Sequence, residues 1–150
     1  MDRQQMAQLL CSRGVRPTQQ RLAVYEYLVD HPIHPSVDTV YEAVSVEQPT
    51  FSRTTVYNSL HALVQAGLVR ELPLCSEERR YDACLSPHAH FLCSGCGCIK
   101  DVPLASDAVE NLLSKGNGEL DGYLIQGQEL SFSGLCAACS TADPETFVSV

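Results

Sequence analysis

Two Cys-x-x-Cys pairs, Cys93–Cys96 and Cys136–Cys139, constrain this chain more than any other feature. Two residues between cysteines let both thiolates point at one ion from a tight turn, and two such knuckles complete a tetrahedron. Ser94-Gly95 and Ala137-Ala138 supply the small residues that a knuckle needs. Four sulfurs suit zinc and leave no open coordination position, so the expected role is structural. The interval between the pairs exceeds that of a compact zinc ribbon. The ion must therefore cross-link segments distant in sequence, as a staple for a small core. Cys98 can compete with Cys96 as a ligand; Cys93 with Cys96 is preferred because that spacing matches the second pair. Buried free thiols or a redox pair are the alternative reading.

The N-terminus lacks the apolar segment of a secretory signal, and no run of 18 apolar residues occurs. A cytoplasmic address without membrane contact is expected. There, eight cysteines argue for metal or redox chemistry and against a disulfide framework.

Residues Arg3 to Arg13 read as a helix with Met6, Leu9 and Leu10 on one face, closed by Gly14. Thr18 caps a second helix, with Leu22, Tyr25, Leu28 and Val29 as its stripe and His31-Pro32 as its end. Ser36 caps a third, with Val37, Val40, Tyr41 and Val44 inward, stopped by Pro49. Ser52 caps a fourth, with Val56, Leu60, Leu63 and Val64 inward and Gly67 at its close. Strands are expected at residues 68–72 and 79–82, around a loop from Pro73 to Glu78. Three helices, a fourth with a polar outer face and a two-stranded hairpin make a winged helix-turn-helix, which places one helix in the DNA major groove. The polar face comprises Arg53, Thr55, Tyr57, Asn58 and His61, and Thr54 joins it among the candidate DNA contacts, as do Arg16 and Arg21 ahead of it. The net charge of -8 is the wrong sign for a DNA binder. However, every arginine lies in the first 80 residues, and the acidity is concentrated in the second half.

From His88 the pattern changes to a small α/β unit: strands at 88–93 and 99–102, a helix from Ser106 to Lys115, and a strand from Tyr123 to Phe132. Its exposed edge suggests self-association. The fold class is thus α+β: a winged-helix domain over residues 1–82, a hinge over 83–87, an α/β dimerisation and metal-binding domain over 88–139, and a tail over 140–150. His88 and His90 share one face of their strand, because side chains alternate there. His34 precedes the third helix, Asp82 ends the wing and Asp101 ends the strand after the first knuckle. Taken singly, each aspartate reads as a surface charge and His34 as a loop residue; periodicity alone does not bring the five together.

Arg16-Pro17-Thr18-Gln19-Gln20-Arg21, His34-Pro35-Ser36-Val37-Asp38-Thr39-Val40-Tyr41, Thr54-Thr55-Val56-Tyr57-Asn58-Ser59-Leu60, Gly67-Leu68-Val69, Arg80-Tyr81-Asp82, His88-Ala89-His90-Phe91-Leu92-Cys93 and Gly95-Cys96-Gly97, with the closing cysteine pair, run in order over residues 14–139. This succession resembles the ferric uptake regulator superfamily of homodimeric, metal-dependent bacterial repressors. The resemblance implies that His34, Asp82, His88, His90 and Asp101 hold one regulatory Fe(II) or Mn(II), that Cys93, Cys96, Cys136 and Cys139 hold structural zinc, and that the helix after Ser52 reads operator DNA. Iron-uptake sensors of the superfamily usually carry His-His-Asp-His before the first knuckle; here Pro87-His88-Ala89-His90 stands there, and Gln126-Gly127-Gln128 replaces a later histidine. Zinc sensors often have a cysteine where this chain has Asp82, and Cys84 lies nearby.

The peroxide-sensing branch is most similar, with a His-x-His pair and an aspartate at the position of Asp101. It implies that peroxide adds oxygen to His34 or His88 and so ends metal and DNA binding. Iron or zinc uptake control is the alternative within the superfamily. A non-haem iron enzyme is an alternative of another class, because two histidines and a carboxylate suit oxygen chemistry. A thiol sensor using Cys11, Cys75, Cys84 or Cys98 is a third, although these read as spare thiols, with Cys11 buried on its helix.

Overall fold

Side-chain caps set where the helices of the first half begin. In a computed structural model describing residues 1–72, 78–105, 107–108, 110–111, 122–124 and 129–141, Asp2, Thr18, Ser36 and Ser52 each accept a backbone N–H from the first turn of the following helix. These helices are α1 (Arg3–Ser12), α2 (Gln19–Asp30), α3 (Val37–Glu47) and α4 (Arg53–Gln65). Each cap oxygen satisfies a donor that has no partner within its helix. At Asp2 the cap is reciprocal, because Gln5 Oε1 accepts the Asp2 N–H at 2.9 Å.

The chain divides into two units, Met1–Leu85 and Ser86–Val150. In the first unit, Met6, Leu10, Val24, Tyr25, Leu28, Val40, Val44, Val56, Leu60 and Leu63 close a core between the four helices. The strands β1 (Arg70–Leu72) and β2 (Arg80–Asp82) pair antiparallel, Arg70 opposite Asp82 and Leu72 opposite Arg80, and send Tyr81 into the same core. This is a winged helix. Two sequence expectations need correction here. Val24, absent from the expected stripe of α2, is fully buried while Leu22 and Val29 are half-buried, because α2 packs against both α3 and α4 and its inward face is wider than one stripe. Cys11 is exposed, one position past the face that Met6 and Leu10 turn to the core.

Gly67 closes α4 at φ 65°. An added Cβ there would meet only Arg13 Nη1, at 4.0 Å, so the cost of Gly67→Ala comes from the backbone. A left-handed conformation costs a residue with a Cβ about 1–2 kcal/mol. Denaturant unfolding should show stability lowered by that amount, through a lower midpoint at unchanged m.

The second unit is a three-stranded sheet in the order β4-β3-β5. The strands are β3 (His88–Cys93), β4 (Ile99–Pro103) and β5 (Ser131–Gly134), followed by the short helix α5 (Ala137–Ser140). β3 pairs antiparallel with β4, His90 opposite Asp101, and parallel with β5, Cys93 opposite Gly134. Of the strand expected at Tyr123–Phe132, Ser131 and Phe132 lie in β5, which runs on to Gly134. Tyr123, Leu124, Glu129 and Leu130 lie outside any strand, and residues 125–128 are not among those described. Pairing with β3 sets the register of the described part of β5. Most of the helix expected at Ser106–Lys115 also lies outside the described residues; Ala108, Glu110 and Asn111 are helical. Among the described residues, no helix is long and apolar enough to cross a membrane.

Candidate metal centres and nucleic-acid face

Parallel pairing makes β3 and β5 end side by side, so the chain leaves both strands at the same edge carrying one cysteine pair each. Ser94 N–H donates to Gly134 O at 2.7 Å and fastens the two exits. Gly97, at φ 70°, then turns the first exit back, so that Cys93 N–H donates to Cys98 O at 2.9 Å. One Sγ from each of Cys93, Cys96, Cys98 and Cys136 lies within 4.8 Å of the others. Cys139 adjoins the group, close enough for Cys136, Cys96 and Cys93 to act on its titration. Gly95 makes room for it, because a Cβ there would stand 3.0 Å from both Cβ and Sγ of Cys139.

Five thiols are thus gathered where sequence spacing preferred four. The Cys-x-Cys of Cys96 and Cys98 was the signal for the fifth, but Cys98 entered the reading only as a competitor of Cys96. The separation fits zinc. With Zn–S about 2.3 Å, two sulfurs on a tetrahedron stand about 3.8 Å apart, and Cys96 Sγ and Cys136 Sγ are 3.8 Å apart. The electrostatics favour the thiolate at Cys93 and Cys136. Cys136 N–H donates to the buried Cys93 Sγ at 3.2 Å, and this bond, with the N–H groups of Cys96 and Gly95, draws Cys93 down to about 6. Cys136 is lowered chiefly by the Cys139 N–H. Cys98, hydrogen-bonded to Cys96, and Cys139, hydrogen-bonded to Cys136, are each pushed up to about 12. Without metal the cluster thus shares protons among sulfurs, and a dication would displace them.

In the first unit, His34 and Asp82 are both buried and offer ligand atoms within 4.8 Å of each other. His34 holds a left-handed backbone, φ 53°, a strained state that persists where the surroundings over-determine it. Here Tyr81 N–H donates to Pro35 O at 3.1 Å, tying the His34-Pro35 corner to β2, which ends in Asp82. Asp82 Oδ1 accepts the Cys84 N–H at 2.7 Å.

In the second unit, alternation along β3 sets His88 and His90 on one face, with Nε2 atoms 3.0 Å apart. His88 Nδ1 stands 2.7 Å from Ser86 O, which assigns its proton to Nδ1 and leaves Nε2 as the donor to a metal. Asp101 Oδ1 lies 3.5 Å from His88 Nε2 and 3.7 Å from His90 Nε2. Two imidazole nitrogens about 2.1 Å from one ion and at right angles are about 3.0 Å apart, so this pair is spaced for a shared ion. The Ser86 carbonyl carried no sequence signal.

On α4, Arg53, Thr54, Tyr57, Asn58 and His61 are exposed and Thr55 is half-buried. Tyr57 and His61 stack at 6.4 Å. Arg53 is less free than its place on the helix suggested: its Nε pairs with Asp38 of α3, and its guanidinium lies 4.8 Å over the Tyr41 ring. Arg21 Nη1 donates to Arg16 O at 3.1 Å, and the Arg16 side chain is exposed.

Residues 12–126 match the family model described as Ferric uptake regulator family. The chain is 38% identical over 128 residues to the Peroxide operon regulator of Bacillus subtilis, across 85% of this chain and 86% of that protein. It is 36% identical over 138 residues to the Transcriptional regulator FurA of Mycobacterium tuberculosis, across 91% of each. Among solved structures, the Campylobacter jejuni peroxide stress regulator aligns with a TM-score of 0.67 and 27% identity, over 91% of this chain and 97% of that one.

Proposed function

The chain belongs to the ferric uptake regulator family, and from that premise we propose that it is a metal-dependent repressor that binds operator DNA as a homodimer and senses hydrogen peroxide by oxidation of a ligand histidine. The observation that carries this reading is the His88–His90 pair with Asp101 beside it. Nitrogen and carboxylate donors of this kind suit Fe(II) or Mn(II), whereas a sulfur donor would have pointed to zinc sensing. The similarity to peroxide regulators of Bacillus subtilis and Campylobacter jejuni supports the same branch.

In this reading His34 and Asp82 from the first unit and His88, His90 and Asp101 from the second serve one regulatory ion. Cys93, Cys96, Cys136 and Cys139 serve structural zinc. Donors contributed by both units make ion binding a bias on the DNA-competent arrangement. Moving a mostly incompetent population to a mostly competent one takes about 5.5 kcal/mol of differential binding. The bound iron supplies reactivity toward peroxide. The Ser86 carbonyl holds the His88 ring by Nδ1 and keeps Nε2 turned toward His90. A ring that gains oxygen, at His34 or His88, loses its strength as a donor, and metal and DNA affinity fall together. Arg16, Arg21, Thr54, Thr55, Tyr57, Asn58 and His61 are the proposed DNA contacts, with Arg53 presented from its pairing with Asp38. The curated relatives are regulators by name, and the non-haem iron enzyme raised from donor chemistry gains no support from them.

Gel-shift binding to a palindromic operator, with Fe(II), Mn(II) or Zn(II), before and after peroxide, tests the reading. Peroxide is expected to abolish binding by the iron form, with one added oxygen mapped by mass spectrometry to His34 or His88, and to spare the manganese form. Unmodified histidines with full DNA binding after treatment would sink it. Binding that depends on metal but ignores peroxide would instead indicate control of metal uptake.

A further inference from the structure

The cysteine cluster holds one more thiol than a tetrahedral ion can use. Cys93, Cys96 and Cys136 form a common trio. Cys98 completes a quartet with them in which every sulfur lies within 4.8 Å of the others. Cys139 stands beside the same trio, its Cβ and Sγ filling the space over Gly95, between Cys93 and Cys96 in the chain. Either thiol is therefore a neighbour of the trio, and the trio leaves one seat. We infer that Cys98 and Cys139 alternate as the fourth ligand of a single zinc ion, so that this chain carries a spare ligand beside the Cys93–Cys96 and Cys136–Cys139 pairs. The inference rests on reading the cluster as a zinc site.

Its physical basis is that the two contenders are held by different devices. Cys98 is placed by the turn at Gly97 and by its own carbonyl, which accepts the Cys93 N–H. Cys139 is placed by α5 and by the gap over Gly95. Neither device depends on the other, so losing one thiol leaves its rival in position. Exchange needs no net change in charge: the arriving thiol gives up a proton as it binds zinc, and the departing thiolate takes one up. A site built this way keeps its ion when one of the two thiols is alkylated or oxidised.

The test uses the full chain. Alkylation of the zinc-loaded protein, mapped by mass spectrometry, should label Cys98 and Cys139 each in part, the two summing to one thiol, while Cys93, Cys96 and Cys136 stay protected. Cys98→Ser and Cys139→Ser should each still bind one Co(II) with the charge-transfer intensity of four thiolates; the double variant should fall to that of three and surrender zinc to a chelator faster. Gly95→Ala, which crowds Cys139, should shift the label toward Cys139. Complete labelling of Cys98 with full protection of Cys139, or a Cys139→Ser spectrum equal to that of the double variant, would overturn the inference while leaving the zinc site standing. A wild-type protein without zinc and without protected thiols would overturn both.

Discussion

Cys93→Ser should strip the chain of structural zinc and unfold its second unit. Cys93 is 1% exposed, the most buried sulfur of the cluster, and it ends β3, the central strand of the sheet. Its Sγ also accepts the Cys136 N–H, so it joins the two exits even before metal arrives. Structural zinc contributes on the order of 10–16 kcal/mol in small domains where the unfolded chain holds no site. Total stability of an ordinary domain is about 5–15 kcal/mol. Removing the ion therefore removes a term as large as the whole. The described sheet has three strands, and much of β5 is exposed, which leaves few apolar contacts to compensate. In the inferred alternation Cys98 and Cys139 contend for the fourth seat, and neither is placed at that of Cys93. Metal analysis should show zinc falling from one equivalent to nearly none, and hydrogen exchange should show loss of protection across β3, β4 and β5 with α1 to α4 retained. A variant that kept zinc and sheet protection would refute this. Cys11→Ser, at an exposed thiol outside the cluster, should change neither readout.

His90→Ala should uncouple operator binding from the regulatory metal. His90 is 2% exposed, shares the Asp101 carboxylate with His88, and faces Asp101 across the β3–β4 register. Coupling between a ligand and a second site is typically 1–3 kcal/mol, or about 5–150-fold. The affinity gained on adding Mn(II) should shrink by a factor in that range, while affinity without Mn(II) and zinc content stay as in the wild type. Asp101→Asn, which removes a charge at nearly constant volume, should act in the same direction and guards against an effect of the cavity left at His90. Undiminished manganese stimulation in both variants would refute the assignment of these residues to the regulatory ion. Fluorescence anisotropy on labelled operator, with and without Mn(II), measures it directly.

The first unit was largely legible because its information is local. Thr18, Ser36 and Ser52 begin helices for a reason contained within one turn, and Gly67 ends one for a reason contained in its own backbone. Val24 escaped because burial on two sides depends on which helices flank α2. Cys11 was misplaced by a single step around α1. In the second unit, β3 and β4 were legible as alternating runs, but β5 was not, because its residues gain their place from β3. Of the cysteines, the spacing of each pair announced its chemistry, whereas the membership of Cys98 depended on a turn at Gly97.

By itself the sequence determined the ligand chemistry: sulfur in paired knuckles, imidazole on alternate strand positions, carboxylates at strand ends, and the helix boundaries between them. Those are properties of residue type and short spacing. Only the tertiary structure decided that β5 runs parallel to β3, and with it that two cysteine pairs far apart in the chain emerge at one edge beside a fifth thiol. Strand direction and register are chosen by hydrogen bonds between distant segments, and no local pattern encodes which partner a strand will find.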